Sequence, residues 1–273
     1  MNDKKVALVT GVSSGIGRET AQRLAEGGFR VFGTIRNNHA NDLIPGVEVI
    51  RLDVTDDAIV AEAVQSVLQK AGRLDLLVNS AGYALTGGLE ETSIQEAQQL
   101  FDTNFFGVLR ITKAVLPVMR RQGYGRVVNI SSVLGFLPAP YMGIYGASKH
   151  ALEGYTESLD HEVRQFGIRA ILVEPGFTKT NLAKKGKTAR AVLDAYAQQR
   201  KRVAEVVENR IDQGDNPRDV AKVVYQAATA GSPHLRYPVG EGKTLSRLRR
   251  FVPAQMFDKS FRKQFRLDEN ARR

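Results

Sequence analysis

The sequence contains no cysteine and no tryptophan, and it has four histidines among 273 residues. The absence of cysteine excludes disulfides, iron–sulfur clusters, cysteine-bound zinc and a thiol nucleophile. So few histidines argue against a His-rich metal site. No apolar run reaches the roughly 18 residues that a membrane-spanning helix needs. A strand-like run begins at Val6, where a secretory signal would still continue. We therefore expect a cytoplasmic protein.

The net charge of +10 is the one unusual feature of the composition. Residues 232–273 hold 11 basic and 4 acidic side chains and so carry +7 of that charge. Such a charge indicates nucleic acid, an anionic membrane or a phosphate-bearing ligand as partner. The first 231 residues are nearly balanced and carry no helix-turn-helix or RNA-binding motif, which argues against nucleic acid. The basic tail at 241–273 also contains regularly spaced Phe and Leu, which predicts short amphipathic helices.

Short apolar runs alternate with helical patterns up to about residue 240. This alternation predicts right-handed βαβ units, and apolar runs without polar alternation indicate strands covered on both faces. We therefore expect an α/β fold with a doubly wound, Rossmann-type parallel sheet of about seven strands and helices on both faces. We expect residues 1–240 to form one domain, in which a charged helical stretch at 182–210 covers the substrate as a lid. Residues 241–273 are expected to follow as an extension. The predicted strands are 6–10, 30–36, 47–53, 74–79, 126–131, 169–174 and 235–239, and the long helices include 14–26, 56–71, 93–121, 148–166 and 217–230.

A glycine-rich loop follows the first predicted strand and opens a helix. Ligands of doubly wound sheets lie at the carboxyl ends of the strands, and a helix N-terminus there binds phosphate through backbone N–H groups. The spacing Gly-x-x-x-Gly-x-Gly differs from the usual Gly-x-Gly-x-x-Gly, and a tight turn without a ligand is the alternative. The residues that we assign to cofactor phosphates are Gly11, Ser13, Ser14, Gly15, Ile16 and Gly17.

Arg36 ends the second predicted strand, where enzymes that prefer NAD usually carry a carboxylate for the ribose 2′-hydroxyl. No acidic residue occurs between Glu26 and Asp42. The guanidinium of Arg36, with Arg18 as a second candidate, suits a 2′-phosphate and so favours NADP(H) over NAD(H). The alternative is that Arg36 is an ordinary exposed residue. Asp53, at the end of the third strand, either binds the adenine amine or caps the following helix.

Ser132, Tyr145 and Lys149 form the candidate catalytic set. Tyr145 and Lys149 are four residues apart and so share one helix face. A tyrosine hydroxyl has a pKa of about 10, and a nearby ammonium favours the phenolate and lowers that pKa. Ser132 can bind the substrate oxygen opposite, which makes a site for proton exchange with a carbonyl or an alcohol. The alternative to a catalytic role is an amphipathic helix whose lysine extends its ammonium to the surface.

These motifs occur together and in order, with Asn79-Ser80-Ala81-Gly82, Asn104 and Pro175-Gly176 between and after them. The combination resembles the short-chain dehydrogenase/reductase family over residues 4–240, with Ser80 in place of the family's second asparagine. The resemblance implies that Tyr145 is the acid/base, that Lys149 lowers its pKa and binds the ribose, that Ser132 orients the substrate oxygen, and that Asn104 holds a relay water. It also implies a homo-oligomer formed through the helices at 93–121 and 148–166. The further cofactor contacts that it implies are Val54, Asn79, Ala81, Gly82, Pro175, Gly176 and either Thr178 or Thr180.

Shorter motifs resemble the 17β-hydroxysteroid and retinol dehydrogenase-like branch of this family. They lie at 33–37, 90–92, 101–107 and 151–154. The expected pocket walls are 83–89, 134–141 and 177–210, and the second of these is strongly apolar, which suits a hydrophobic substrate or simply loop packing. We therefore expect an NADP(H)-dependent oxidoreductase for a small-molecule ketone, aldehyde or alcohol, with a steroid-, retinoid- or lipid-like substrate.

Two alternatives remain for the function. The first is an NADP-binding regulatory protein that contacts nucleic acid or a membrane through its basic tail. The second is a membrane-associated lipid dehydrogenase whose tail binds an anionic lipid surface, as basic amphipathic helices do. Packing of the tail against the body of the protein is the preferred interpretation.

Overall fold

The structure is a computed structural model that describes residues 4–36, 44–180, 182 and 186–268. Asn37 of the branch motif, residues 183–185 of the predicted lid and the last five residues of the tail therefore lie outside the described residues. Strands and helices alternate through the described first half as the sequence predicts. These elements are β1 (Val6–Val9), α1 (Gly15–Glu26), β2 (Arg30–Ile35), β3 (Val47–Arg51), α2 (Asp57–Ala71), β4 (Leu76–Asn79), β5 (Leu85–Thr86), α3 (Ile94–Phe101) and α4 (Gly107–Gln122).

The second half continues the alternation and ends in two helices of the tail. The helix that carries Tyr145 begins five residues earlier than expected, at Gly143. The elements are β6 (Gly125–Ile130), α5 (Gly143–Val163), β7 (Ile168–Glu174), β8 (Lys187–Thr188), α6 (Ala197–Asp212), α7 (Pro217–Thr229), β9 (Arg236–Pro238), α8 (Gly242–Phe251) and α9 (Ala254–Gln264).

The main sheet has seven parallel strands in the order β3-β2-β1-β4-β6-β7-β9. Val9 of β1 lies opposite Gly33 of β2 on one side and Val78 of β4 on the other. The strand order therefore reverses between β1 and β4. Because parallel strands end at the same edge, the loops that follow β1, β4, β6 and β7 come together there. The predicted doubly wound, Rossmann-type sheet is confirmed.

Alternate residues of each strand pack against helices on opposite faces of the sheet. Val6 and Leu8 of β1 belong to the core cluster that contains residues of α2, α4 and α5. Ala7 and Val9 belong to the cluster formed with α1 and α7. All four side chains are at most 2% exposed. Burial on both faces explains why the strands read as unbroken apolar runs.

The predicted helix at 93–121 is interrupted by a π-helical turn, Asp102–Phe106, that joins α3 to α4. Ser93 caps α3 through a capping box with Glu96, as its sequence favours. Just beyond the turn, a side chain at Gly107 would lie 2.7 Å from Cγ2 of Val54, so the helix passes close to the loop after β3. The π turn aims buried Asn104 at the loop after β4, and π turns of this kind frequently occur at functional sites.

The predicted helix at 182–210 is wrong in its first half, because helical structure of this segment begins with a short 3-10 turn at Asp194 and α6 at Ala197. Upstream, β8 pairs with β5 in a separate two-stranded sheet. The backbone N–H of Arg190 donates to Glu96 at 3.0 Å, and that of Leu193 donates to Glu91 at 2.9 Å. These backbone N–H groups therefore donate to side-chain carboxylates and not to the backbone carbonyls of a helix.

The basic tail forms the two short helices that its apolar spacing predicts. Leu245 of α8 and Phe257 of α9 pack against the apolar cluster that includes Leu134, Leu137 and Tyr145. Phe265, just after α9, is 4% exposed. The tail therefore folds back against the body. Within the described chain, we find no helix with both the length and the apolar character to span a membrane.

A buried chain of polar side chains links β4, β6 and α5. The amide of Asn79 donates to Oδ1 of Asn129 at 2.8 Å, and the amide of Asn129 donates to Oγ1 of Thr156, also at 2.8 Å. Thr156 in turn donates to the carbonyl of Leu152. Because Asn129 is fully buried, its loss would leave polar groups without partners in the interior.

Replacing Asn129 by alanine is expected to lower the free energy of unfolding by about 2–4 kcal/mol, since two buried hydrogen bonds are lost. Urea denaturation of the full chain measures this change. Asn216→Ala is the control, because Asn216 is exposed and caps α7 through Arg218 N–H, a contact worth about 1 kcal/mol. Equal destabilisation by the two variants would contradict the structural role of Asn129.

Candidate active site

The glycine-rich loop is held against the segment that follows β4. Oγ1 of Thr10 accepts hydrogen bonds from the backbone N–H groups of Ser80 at 2.9 Å and Ala81 at 3.0 Å. Gly11 has a φ of 72°, and a Cβ there would lie 2.8 Å from Cα of Ala81. Only glycine fits this position. The N-cap residue Ser14 makes no side-chain cap, which leaves the N–H groups at the start of α1 available to a ligand.

A cavity of about 320 Å³ is lined both by this loop and by the start of α5. It brings together the glycine-rich loop, the end of β2, the segments after β4 and β7, and the predicted catalytic set. The predicted site residues that line it are Gly11, Ser13, Ser14, Gly15, Ile16, Gly17, Arg36, Val54, Ala81, Gly82, Asn104, Ser132, Tyr145, Lys149, Pro175, Gly176, Thr178 and Thr180.

Asn79 and Asp53 do not line this cavity. The side chain of Asn79 lies in the buried chain described above, between β4 and β6. Asp53 lies beside Arg36 in a shallower depression and accepts from the N–H and the hydroxyl of Thr55 at 2.9 and 2.8 Å. The helix cap of α2 is Asp56, so the alternative of a capping role for Asp53 is wrong. A contact of Asp53 or Asn79 with the cofactor stays a prediction.

Tyr145 and Lys149 lie one turn apart on the buried face of α5. The Lys149 ammonium donates to the carbonyl of Ile130 at 2.8 Å and lies 5.7 Å from the centroid of the Tyr145 ring. Ser132 lies near the hydroxyl of Tyr145 and acts to lower its pKa. Ser132 is itself held by the backbone N–H of Leu134, which donates to its hydroxyl at 3.1 Å. The three side chains therefore meet at one end of the cavity.

Burial dominates the electrostatics of this set. It raises the pKa of Tyr145 to about 12, against the opposing hydrogen bond from Ser132. It lowers the pKa of Lys149 to about 8, against the opposing charge of Glu153. The direction for Tyr145 is opposite to the lowering expected from Lys149, because removal of the phenolate from water is the largest influence on its pKa. At neutral pH the phenol therefore carries its proton.

Asn104 projects from the π turn onto the segment after β4. Its Oδ1 accepts from the backbone N–H of Tyr83 at 3.1 Å, and its Nδ2 donates to the carbonyl of the same residue at 3.0 Å. Nδ2 also lies 3.5 Å from the hydroxyl of Ser148, in the turn between Tyr145 and Lys149. These contacts fix the amide in the cavity wall, while the water that the family resemblance implies stays a prediction.

Apolar side chains from four segments line the remaining part of the cavity. The expected walls at 83–89 and 177–210 contribute, whereas most of the loop at 134–141 packs into the core with the tail. Ile211 of α6 lies one residue beyond the expected wall. The apolar lining residues are Leu134, Met142, Phe177, Leu182, Val207 and Ile211.

The sequence reasoning did not identify Glu153 as part of the site. It is 7% exposed and lies one turn beyond Lys149 on the same face of α5. The four-residue spacing of Tyr145, Lys149 and Glu153 was a visible signal, because such spacing places three side chains in one row.

Comparison with known proteins gives the family. The family described as short chain dehydrogenase matches residues 5–191. The 3-ketodihydrosphingosine reductase of Bacteroides thetaiotaomicron is 37% identical over 238 residues, which are 86% of this chain and 88% of that protein. Retinol dehydrogenase 8 of Bos taurus is 35% identical over 260 residues, which are 85% of this chain and 80% of that protein.

Solved structures agree with the sequence relatives. A short-chain dehydrogenase from Streptomyces avermitilis superposes with a TM-score of 0.83 at 35% identity and covers 99% of this chain and 100% of its own. ElxO with bound NADP has a TM-score of 0.75 at 29% identity, with coverages of 88% and 99%. A short-chain dehydrogenase/reductase from Burkholderia phymatum with NAD has a TM-score of 0.77 at 26% identity, with coverages of 94% and 96%. The chain therefore belongs to the short-chain dehydrogenase family of nicotinamide-dependent oxidoreductases.

Proposed function

We propose that this oxidoreductase interconverts a ketone or aldehyde and the corresponding alcohol with NADP(H). The observation that carries the proposal is the shared cavity, which is lined both by Ser132, Tyr145 and Lys149 and by the glycine-rich loop. The position of a proton donor near a site for a dinucleotide fits carbonyl reduction, and microscopic reversibility extends it to alcohol oxidation.

The residues of the cavity fit a dinucleotide. Gly11 lies close to Ala81, and the N–H groups at the start of α1 have no side-chain cap. Both features suit binding of the cofactor's pyrophosphate. Thr180 packs against Gly15, while the hydroxyl of Thr178 donates to the carbonyl of Gly176 at 3.2 Å, so both threonines stay candidates for the nicotinamide carboxamide. When bound, the cofactor supplies or accepts a hydride.

The proton is handled by Tyr145 in this proposal. Because its pKa is raised to about 12, the phenol is protonated at neutral pH and can donate to a substrate oxygen during reduction. Ser132 binds the same oxygen and orients it. The Lys149 ammonium stabilises the phenolate that remains, since an opposite charge favours the ionised form. In alcohol oxidation each of these roles is reversed.

The preference for NADP(H) rests on Arg36. The side chain is exposed at the end of β2, lines the cavity and borders the depression that contains Asp53. No carboxylate stands between Glu26 and Asp42, so the usual partner of an NAD ribose is missing from this stretch. Arg36 offers a bidentate partner for a 2′-phosphate instead. NADP in the ElxO structure is consistent with this preference.

An apolar substrate of steroid-, retinoid- or lipid-like character is proposed from the cavity lining. Leu134, Met142 and Phe177 approach from three different segments next to the catalytic end. The two curated relatives are named for a ketosphingoid base and for retinol, both of which carry long apolar parts. Such a lining excludes water and orients the substrate through few polar contacts.

The basic tail supports a second candidate, a dehydrogenase that docks on an anionic lipid surface. Phe251 and Met256 are 84% and 65% exposed where α8 is followed by α9. The opposite side of the tail is buried through Leu245 and Phe257, so the two exposed side chains have no role in packing the tail onto the body. Arg249, Lys259 and Lys263 are exposed basic residues of the same two helices. On an anionic membrane, exposed apolar side chains enter the lipid layer while basic residues bind the headgroups.

Self-association through α4 and α5 also stays a prediction. Phe106, at the start of α4, is 46% exposed beside the aromatic pair Phe105 and Tyr155. An exposed aromatic of this kind is typical of a surface that a second copy covers.

Tyr145→Phe is expected to reduce turnover at least 100-fold while NADPH binding is retained, because only the proton donor is removed. The measurements are NADPH oxidation over steroids, retinoids, aldehydes and acyl ketones, and NADPH fluorescence for binding. Tyr155→Phe is the matched control, because Tyr155 is a partly buried tyrosine on the same helix that does not line the cavity. Activity retained by Tyr145→Phe would contradict the assignment, and NADPH binding by the wild type without turnover over the whole panel would favour the regulatory alternative.

Arg36→Asp is expected to reduce the preference for NADPH over NADH by about 10- to 100-fold in kcat/KM, because a phosphate partner is replaced by a ribose partner. Steady-state kinetics with both cofactors measure the ratio. Arg51→Asp, in the depression beside Arg36 but outside the main cavity, is the control for a general loss of positive charge. An unchanged ratio in Arg36→Asp would remove Arg36 from cofactor recognition.

The double variant Phe251→Ser/Met256→Ser is expected to bind phosphatidylserine-containing liposomes at least several-fold more weakly than the wild type in flotation. The reason is the loss of two exposed apolar side chains with all basic residues kept. Ile94→Ser, which removes a 76% exposed apolar side chain from α3, should bind as the wild type does. A wild type that does not float, or a double variant that floats equally well, would contradict docking through the tail.

A further inference from the structure

Glu91 is a buried carboxylate that the proposed reaction does not use. It lies in the loop between β5 and α3, its side chain is 1% exposed, and among the described residues it is not one of those that line the cavity. Its Oε2 accepts a hydrogen bond from the backbone N–H of Gly88 at 2.7 Å. Burial of a carboxylate is costly unless hydrogen bonds and a cation compensate its charge.

The other oxygen of Glu91 binds the segment that leads into α6. Oε1 accepts from the backbone N–H of Leu193 at 2.9 Å and from the guanidinium of Arg200, near the start of α6. The Arg200 side chain is 22% exposed, so the ion pair lies largely out of water. Removal of one partner from such a pair leaves an uncompensated charge in the interior. Glu91 therefore holds the start of α6 against the loop after β5.

Tyr141 makes a second contact with the start of α6. Its hydroxyl donates to Oε1 of Gln199 at 2.8 Å, and its carbonyl accepts from the backbone N–H of Gly87 at 2.8 Å. Its φ of 59° is a left-handed conformation that a bulky side chain rarely adopts. Strain of this kind persists only where the surrounding contacts hold the residue in place. Tyr141 thus joins the start of α6 to the segment that enters α5, the helix of Tyr145 and Lys149.

These contacts bear on the cavity through one face of α6. Val207 and Ile211 line the cavity and follow Arg200 by 7 and 11 residues, a spacing that places all three on the same side of the helix. Val203, near the same side, is 2% exposed. A displacement of α6 at Arg200 therefore moves both cavity-lining side chains relative to Tyr145.

We propose that Glu91 determines substrate specificity by fixing the position of the apolar wall that α6 contributes to the cavity. This inference rests on the proposed function, which makes the cavity the substrate site. Glu91 acts through Leu193 and Arg200 and is a positioning residue, since it need not touch substrate or cofactor. Because the wall is formed by Val207 and Ile211, Glu91 governs the binding of the apolar part of the substrate and not of the reacting group.

The test measures the binding of 1-butanol and 1-decanol to the full chain saturated with NADPH or NADH, whichever binds more tightly. A reduced cofactor cannot accept a hydride, so the change in its fluorescence reports binding without reaction. The wild type should bind decanol at least 10-fold more tightly than butanol, since each buried methylene strengthens binding about fourfold. Glu91→Gln keeps an acceptor for Leu193 but loses the charge that pairs with Arg200. It should weaken decanol binding about 10-fold and leave butanol binding within about twofold, because the short chain does not extend to α6.

Glu90→Gln is the matched control. Glu90 is the exposed neighbour of Glu91 and accepts from the hydroxyl of Tyr196 at 2.7 Å, a surface contact that contributes little, so both alcohols should bind as they do to the wild type. Arg200→Gln should reproduce the loss of decanol binding. The double variant Glu91→Gln/Arg200→Gln should bind decanol at least as tightly as either single variant, because no unpaired buried charge remains. A general folding defect would neither spare butanol nor be relieved by a second substitution.

Hydrogen exchange of the backbone amides at 193–212 gives a readout that needs no ligand. Loss of the Glu91 ion pair should make exchange at the start of α6 at least 10-fold faster in Glu91→Gln, because local opening then costs less free energy. Exchange in this segment of Glu90→Gln should equal that of the wild type. Mass spectrometry of peptic fragments measures both.

Three results would overturn the proposal. Unchanged decanol binding or unchanged exchange in Glu91→Gln would show that Glu91 does not fix α6. Equal weakening of both alcohols would give Glu91 a general structural role. A wild type that binds decanol no more tightly than butanol would show that α6 forms no wall for an apolar chain. None of these measurements needs turnover, so a failure to reduce carbonyl compounds would contradict the proposed function alone. If Glu91→Gln does not fold, Arg200→Gln decides the same question from the other side of the ion pair.

Discussion

All seven strands of the main sheet run parallel, and the site depends on this arrangement. The loops after β1, β4, β6 and β7 leave the sheet at one edge, although their residues are up to about 165 positions apart in the chain. The hydrogen bonds from Ser80 and Ala81 to Thr10 fix two of these loops against each other. The cavity lies at the carboxyl ends of the strands, where the strand order reverses between β1 and β4.

Burial gives the catalytic end of the cavity its chemistry. Removal from water raises the pKa of Tyr145 and lowers that of Lys149, so each group is driven towards its uncharged form. These opposing shifts separate the pKa values of the two groups, which start at 10.0 for Tyr145 and 10.5 for Lys149 and become about 12 and about 8.

Much of the fold could be predicted from the sequence, because strands buried on both faces leave unbroken apolar runs and each helix shows its own period. The position of Ser132, Tyr145 and Lys149 in one cavity was predictable as well, since Tyr145 and Lys149 are close in sequence and Ser132 follows a strand. The first half of the segment at 182–210 was not, because its backbone is bound by Glu91 and Glu96 from distant elements. The same holds for the raised pKa of Tyr145, which depends on how completely the fold encloses the phenol.

The π turn and β5 illustrate a different limit. A single inserted turn at Asp102–Phe106 and a strand of two residues are shorter than the window over which hydrophobic periodicity is measurable. Asn104 was nevertheless identified, through family resemblance and not through pattern.

The packing of Leu245 and Phe257 against the cluster that contains Tyr145 has a consequence for the order of folding. Both residues follow the last strand of the main sheet, so the ribosome releases the sheet before it releases them. A nascent chain can thus assemble the dinucleotide half of the cavity while part of the apolar wall behind Tyr145 is still bare to water. That wall is completed only when α8 and α9 have emerged from the ribosome. Until then the apolar cluster is exposed, and exposed apolar surface of this kind is what chaperones bind.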